Sequence, residues 1–221
     1  MTQVKLQTNI LQANDVIAGK LKEKFKENNV KVINLISSPG AGKTTILEHS
    51  LPKLTRKYNV GVIEGDVLTS RDADRIARLN VPVVQIETKG ACHLDANMVQ
   101  KAVEELDLKK LDLVIIENVG NLVCPATFEL AEDAKVVILS VAEGSDKPAK
   151  YPTIFTRAKA CILNKMDLLA YSNFSLDEFY EDIMRINPKL KIFKVSAITE
   201  NGLEYWLEWL EGMMVDGGQK N

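Results

Sequence analysis

From residue 31 onward, short apolar, β-branched runs alternate with longer stretches in which apolar residues return every three or four positions. The runs are residues 31–36 (KVINLI), 59–64 (NVGVIE), 81–87 (VPVVQIE), 111–117 (LDLVIIE), 135–141 (KVVILSV), 160–165 (ACILNK) and 191–196 (KIFKVS). Most are continuously apolar rather than alternating, as strands buried on both faces are. Helical stretches such as KTTILEHSLPKLTRKY and SLDEFYEDIMRIN separate several of them. The pattern predicts an α/β fold: a single domain with a mainly parallel sheet of about seven strands and helices on both faces.

Residues 1–29 read as an N-terminal helical extension packed on this domain. Leu6, Ile10, Ile17, Leu21 and Phe25 recur at helical spacing with Lys and Glu between them. The domain itself is expected to span residues 30–215, and residues 216–221 to form a flexible tail. No shift in composition marks a second domain.

Of the 221 residues, 46% are apolar and 26% charged, the mix of a globular protein with a real core. The formal net charge of −2 gives no basic footprint, so nucleic acid is not an expected partner. Three cysteines make no disulfide scaffold and fit a reducing compartment. No early apolar stretch suggests a leader, and the most apolar run, AKVVILSVA, is about half of a bilayer span. A cytoplasmic location without membrane contact is the expectation.

Chemistry enters at INLISSPGAGKTTILEHS, which follows the first strand and opens a helix. Gly40, Ala41, Gly42, Lys43, Thr44 and Thr45 form the core of a phosphate-binding P-loop. Small residues let the backbone N–H groups turn toward a phosphate chain, and the helix N-terminus adds positive potential. Lys43 is expected to reach the outer phosphates and Thr44 to hold Mg²⁺. The generic pattern has glycine where this chain has Ser37.

The base is addressed by CILNKMDLL, which supplies Asn164, Lys165 and Asp167 at a strand end. A carboxylate there accepts two hydrogen bonds from the guanine N1–H and exocyclic amine, a pair adenine does not offer. The lysine stem covers the base and Asn164 braces the loop. One strand later, Ser196 and Ala197 suit a backbone contact to the guanine oxygen. The order of the three segments points to GTP. Asp167 equally suits a helix cap.

Two acidic segments follow other strand ends. One, VIEGDVLTSRDADRIARL, carries Glu64, Asp66, Asp72 and Asp74; the other, LVIIENVGNL, carries Glu117 and Gly120. In an open sheet these loops converge with the phosphate loop. Asp66 is the preferred Mg²⁺ carboxylate, Glu117 stands as a Walker B acid, and the Gly120 N–H is placed to sense a γ-phosphate. Asp72 either orients water or caps the helix after it. The reaction is phosphoryl transfer to water, carried by Lys43, Asp66, Asp72 and Glu117. No glutamine follows Gly120, which predicts slow turnover suited to a switch.

Cys92 and His93 stand side by side after a strand, and Cys124 lies seven residues beyond Glu117. Thiolate and imidazole suit Zn²⁺, Ni²⁺ or copper. Three ligands fall short of a closed site, and a symmetric dimer would double the set. Asp95 is a candidate ligand or supporting partner. A buried thiol beside a helix-start histidine is the competing reading. Cys161 reads as a small buried hydrophobe and His49 as a surface or packing residue.

Together these segments resemble the HypB family, GTPases that help deliver nickel to nickel–iron hydrogenases. The resemblance rests on NLISSPGAGKTTIL, IEGDVLTSRDADRI, GACHLDANMV, IIENVGNLVCPA, EGSDKPAKYP and LNKMDLL. It implies a P-loop GTPase that dimerises with GTP and Mg²⁺ bound. It implies an interfacial Ni²⁺ or Zn²⁺ site on Cys92, His93 and Cys124. Lys147 then matches a lysine that reaches the partner's nucleotide, and Asp66 and Glu117 match the Mg²⁺ and switch acids. The implied partners are HypA, a small nickel-binding protein, and the hydrogenase large subunit. The N-terminal cysteine motif and histidine-rich arm of some members are not found. A urease-type nickel GTPase, whose Cys-Pro-His motif is also not found, and a switch with no metal-delivery role remain the alternatives. The guanine motif argues against an ATP-using kinase.

Overall fold

The computed structural model describes residues 6–67 and 71–215. The expected flexible tail, 216–221, lies outside the described residues. Seven strands form one sheet: β1 (Lys31–Ser37), β2 (Val60–Asp66), β3 (Val83–Glu87), β4 (Leu113–Glu117), β5 (Ala134–Ser140), β6 (Ala160–Asn164) and β7 (Lys191–Lys194). Their order is β3-β2-β4-β1-β5-β6-β7, and every pairing is parallel. Each apolar run of the sequence thus becomes a strand, because parallel strands need apolar residues on both faces.

The helices are α1 (Leu6–Glu27), α2 (Lys43–Leu54), α3 (Arg71–Ala77), α4 (Ala96–Glu104), α5 (Lys147–Lys150), α6 (Pro152–Arg157), α7 (Leu176–Ile186) and α8 (Leu203–Val215). Alternate residues of β1 divide them between two layers. Ile33 and Leu35 pack with Leu47, Leu51, Ile76, Trp206 and Leu210 of α2, α3 and α8. Val32 faces the other way, into Leu21 and Phe25 of α1 and Val99 of α4. Ile36 joins Phe155 of α6 and Phe179 of α7. No helix among the described residues is long and apolar enough to cross a membrane.

The apolar stripe of α1 is shorter than the spacing suggests. Leu21 and Phe25 are buried and Ile17 packs against their cluster, but Ile10 is 57% exposed. The side chain of Leu6 lies outside what is described. Toward that end a polar residue makes the contact: Asn14 Nδ2 donates to Glu129 O at 2.9 Å, and Asn14 Oδ1 accepts Ala96 N–H at 2.7 Å. Asn14 thereby satisfies a backbone N–H at the start of α4, which an isoleucine could not.

The connection leaving β1 runs past β4 to β2, whereas the one leaving its neighbour β5 runs the opposite way to β6, so the connections diverge between β1 and β5. Ligands bind open sheets at such a point.

Candidate nucleotide and metal sites

Beyond β1 the chain turns through Gly40 (φ 76°) and Gly42 (φ 99°) into α2. Gly42 has a packing reason as well: a Cβ there would lie 2.5 Å from Asn164 Nδ2. That amide donates to Ala41 O at 2.9 Å, while Asn164 Oδ1 accepts Ala197 N–H at 3.1 Å. Lys165, itself in the left-handed region at φ 60°, donates to Gly40 O at 2.7 Å. Asp167 Oδ1 accepts the Ser196 hydroxyl at 2.5 Å. Residues 40–42, 164–167 and 196–197 therefore form one hydrogen-bonded unit. Ser37 holds the lysine of the loop: Lys43 Nζ donates to its Oγ at 2.9 Å.

The acids sort differently from the expectation. Glu64, Asp72 and Glu117 bring one carboxylate oxygen each within 4.8 Å of one another, and Asp66 is not in this group. The register explains it. Glu64 pairs with Glu117 across β2 and β4, whereas Asp66 pairs with Glu87 at the far side of β2. An Asp66 oxygen accepts its own neighbour's Val67 N–H at 2.5 Å. Asp72 is placed by Arg75, which donates to it at 2.9 Å and to Glu48 of α2 at 2.9 and 2.5 Å.

Glu117 Oε1 accepts the Thr44 hydroxyl at 2.8 Å, while Glu64 Oε2 and Glu117 Oε2 are buried with no hydrogen-bond donor. Burial, then the neighbouring charge of Glu117, pushes the Glu64 carboxyl up to about 11. Glu117 is likewise raised by burial, opposed by the ammonium of Lys43. Two orphaned oxygens in a buried acidic pair, beside a threonine hydroxyl, fit a small hard cation with oxygen ligands. Gly120, two residues after Asn118, is pressed against the phosphate loop: a Cβ would meet Pro39 Cα at 3.1 Å.

The second cluster is Cys92, His93 and Cys124, again with ligand atoms all within 4.8 Å of one another. The two sulfurs are 3.0 Å apart, and Cys92 Sγ lies 3.7 Å from His93 Nδ1. Hydrogen bonding to Cys92, then burial, raises the Cys124 thiol, and desolvation lowers the imidazole of His93. Cys92 is exposed and the other two half-buried, so the set opens to solvent. Asp95 is the N-cap of α4, its Oδ1 accepting Met98 N–H at 2.7 Å, and its charge acts on the His93 imidazole. Cys161 is fully buried in β6, and His49 bonds Glu200 at 2.9 Å. Lys147 starts α5 with its ammonium 5.7 Å from the Tyr151 ring centroid.

Sequence reasoning missed Phe128, whose ring stacks on His93 with centroids 3.9 Å apart. It also missed Asn118, Asn34 and the buried Lys135–Glu132 ion pair. No local motif marks them: Lys135 and Glu132 are only three residues apart, and the placement of β1 between β4 and β5 brings Asn34 to Asn118 and Glu132.

A family model described as CobW/HypB/UreG, nucleotide-binding domain, matches residues 31–194. The hydrogenase maturation factor HypB of Azotobacter chroococcum is 46% identical over 208 residues, covering 94% of this chain and 68% of that protein. The chain belongs to the HypB family. A HypB of Helicobacter pylori, named a hydrogenase/urease maturation factor, is 41% identical over 94% of this chain and 86% of its own length. The crystal structure of HypB from that organism in complex with nickel superposes with a TM-score of 0.89 at 39% identity, covering 95% of this chain and 98% of that one.

Proposed function

We propose that this HypB protein is a GTP-hydrolysing metallochaperone. It binds Ni²⁺, or Zn²⁺, on Cys92, His93 and Cys124, and assists nickel insertion into nickel–iron hydrogenase. The observation that carries the reading is that one loop, leaving β4, serves both sites: Glu117 at its start bonds Thr44, and Cys124 at its end touches Cys92.

GTP lies along the 40–45 loop, with Asp167 accepting from the guanine edge and the Lys165 stem over the base. Asn164 acts indirectly, holding the base-reading loop to the phosphate loop. Lys43 neutralises the outer phosphates. Thr44, Glu64, Asp72 and Glu117 would hold Mg²⁺, which supplies charge neutralisation at the phosphoryl group undergoing transfer. Arg75 keeps Asp72 turned toward α2, and Gly120 offers its N–H where a γ-phosphate would end. No glutamine follows Gly120, and turnover is slow.

At the second site, two sulfurs and one imidazole match nickel and zinc as soft to borderline cations. Three ligands on a half-exposed surface leave a coordination position for exchange. A GTP-dependent homodimer would pair two such sets and bring Lys147 to the partner's nucleotide. HypA as nickel donor and the hydrogenase large subunit as recipient follow from the family resemblance. The dual name of the H. pylori relative leaves urease as a second client of the same chemistry.

Equilibrium titration tests the reading. Nickel should bind at micromolar or tighter levels, GTP should outcompete ATP, and Cys92→Ser with Cys124→Ser should abolish nickel binding while GTP binding persists. Absence of nickel binding by the wild-type chain overturns it.

A further inference from the structure

We propose that Asn118 is the positioning residue through which nucleotide state reaches the metal pair, acting on the backbone of the loop that carries Cys92 and His93. The inference rests on the function proposed above and names its internal link.

Asn118 follows Glu117 directly and is 1% exposed. Its Oδ1 accepts Leu94 N–H at 3.1 Å and Val119 N–H at 3.0 Å. Its Nδ2 donates to Asn34 Oδ1 at 3.2 Å, and Asn34 Nδ2 donates to Glu132 Oε1 at 3.1 Å. Glu132 is ion-paired with Lys135, both buried. This pair fixes the direction of the whole chain. A carboxylate against an ammonium only accepts, so Asn34 must present its NH₂ to Glu132 and its oxygen to Asn118. Asn118 must then present its own oxygen to Leu94. Neither amide can flip without setting two acceptors against each other in a buried site.

Both ends of this chain reach the metal site. Leu94 N–H is one residue from His93. At the other end, Lys135 Nζ donates to Phe128 O at 3.1 Å, and the Phe128 ring carries the His93 imidazole. Asn121, three residues after Asn118, donates to Cys92 O at 3.2 Å. The segment that begins at Glu117 therefore holds the metal loop by its backbone on either side of His93 and by the His93 ring. The same segment touches the phosphate loop twice, through Thr44 to Glu117 and through Pro39 to Gly120. A displacement of Glu117 or Gly120 by bound nucleotide cannot leave Leu94 where it was, because Asn118 connects them without slack.

The test is Ni²⁺ titration, read by thiolate-to-nickel absorption, of wild-type and Asn118→Ala protein loaded with GDP or with a non-hydrolysable GTP analogue. Wild type should show a ratio of nickel affinities between the two states in the range of coupled sites, roughly 5- to 150-fold. In Asn118→Ala the ratio should collapse to within about twofold, since the remaining Asn121 and Phe128 contacts no longer tie the Leu94 backbone to the residue beside Glu117. Asn34→Ala lies farther from both ligands and removes the restraint on the Asn118 amide, so it should lower the ratio part-way; it also decides the matter if Asn118→Ala does not fold. A ratio of one in wild type, or an undiminished ratio in a folded variant, overturns the proposal. Failure of wild type to bind nickel in either state is a different result, and overturns the function on which the proposal rests.

Discussion

Glu64 and Glu117 stand opposite each other in register on the adjacent strands β2 and β4, both buried, each with one oxygen lacking a donor. Two carboxylates so placed do not both ionise in the metal-free protein. Glu64 is raised from 4.5 to about 11, so in the fold it is protonated at neutral pH, whereas the unfolded chain carries it ionised. The unfolded state then binds fewer protons, and stability falls as pH rises from 4.5 toward 11. Glu64→Gln removes this dependence. Metal-free Glu64→Gln protein should be stabilised at pH 7 by up to roughly 3 kcal/mol and show a flatter stability–pH curve. Denaturant melts at several pH values measure both, and Mg²⁺-dependent GTP hydrolysis should be lost in the same variant.

The phosphate loop tolerates no side chain at Gly42. A methyl group there meets Asn164 Nδ2 at 2.5 Å and also sits on a φ of 99°. Gly42→Ala must therefore break the Asn164 contacts to Ala41 and Ala197. GTP affinity should fall sharply in a fluorescent-nucleotide titration, while the fold, anchored by the sheet, remains.

Asp167 is held by the Ser196 hydroxyl through Oδ1, and the proposed function has it accept from the guanine edge. Asp167→Asn replaces two charge-assisted acceptor interactions, worth together about 3–6 kcal/mol, or roughly 10²- to 10⁴-fold in GTP affinity. The new amide N–H can donate to a 2-oxo group, so a xanthine nucleotide should lose far less. Competition between GTP and the xanthine nucleotide reads the exchange of preference.

The strands, the phosphate loop and the base-reading segment were legible in the sequence because each is local: apolar runs, positive-φ glycines and short spacings carry their own physics. The cluster of Cys92, His93 and Cys124 was legible only as an expectation from sheet topology and resemblance. Two placements could not be read from residue type alone. Asp66 and Glu64 are chemically equivalent at the end of one run, and only the pairing of β2 with β4 puts Glu64 against Glu117. Asp95 has the residue type of a ligand, and the fold gives it the further task of capping α4 through its Oδ1. Phe128 and Asn118 carry no motif because their roles depend on partners 35 and 24 residues away or more.

The sulfurs of Cys92 and Cys124 are 3.0 Å apart with His93 close by. Removing one sulfur from a three-ligand set should cost more than the 10- to 100-fold typical of losing a supporting partner, so Cys124→Ser should weaken nickel binding by more than about 100-fold. Phe128→Leu keeps all three ligands and frees the imidazole, and should weaken binding by less than that. Nickel titrations of the two variants at fixed pH compare them.

The claim that one loop serves nucleotide and metal is tested most directly by measuring nickel affinity of the wild-type chain with GDP and with a non-hydrolysable GTP analogue, each with Mg²⁺. Two distinct affinities are expected, with nickel reciprocally changing the affinity for the analogue by the same factor. Identical nickel affinities in the two nucleotide states would contradict it.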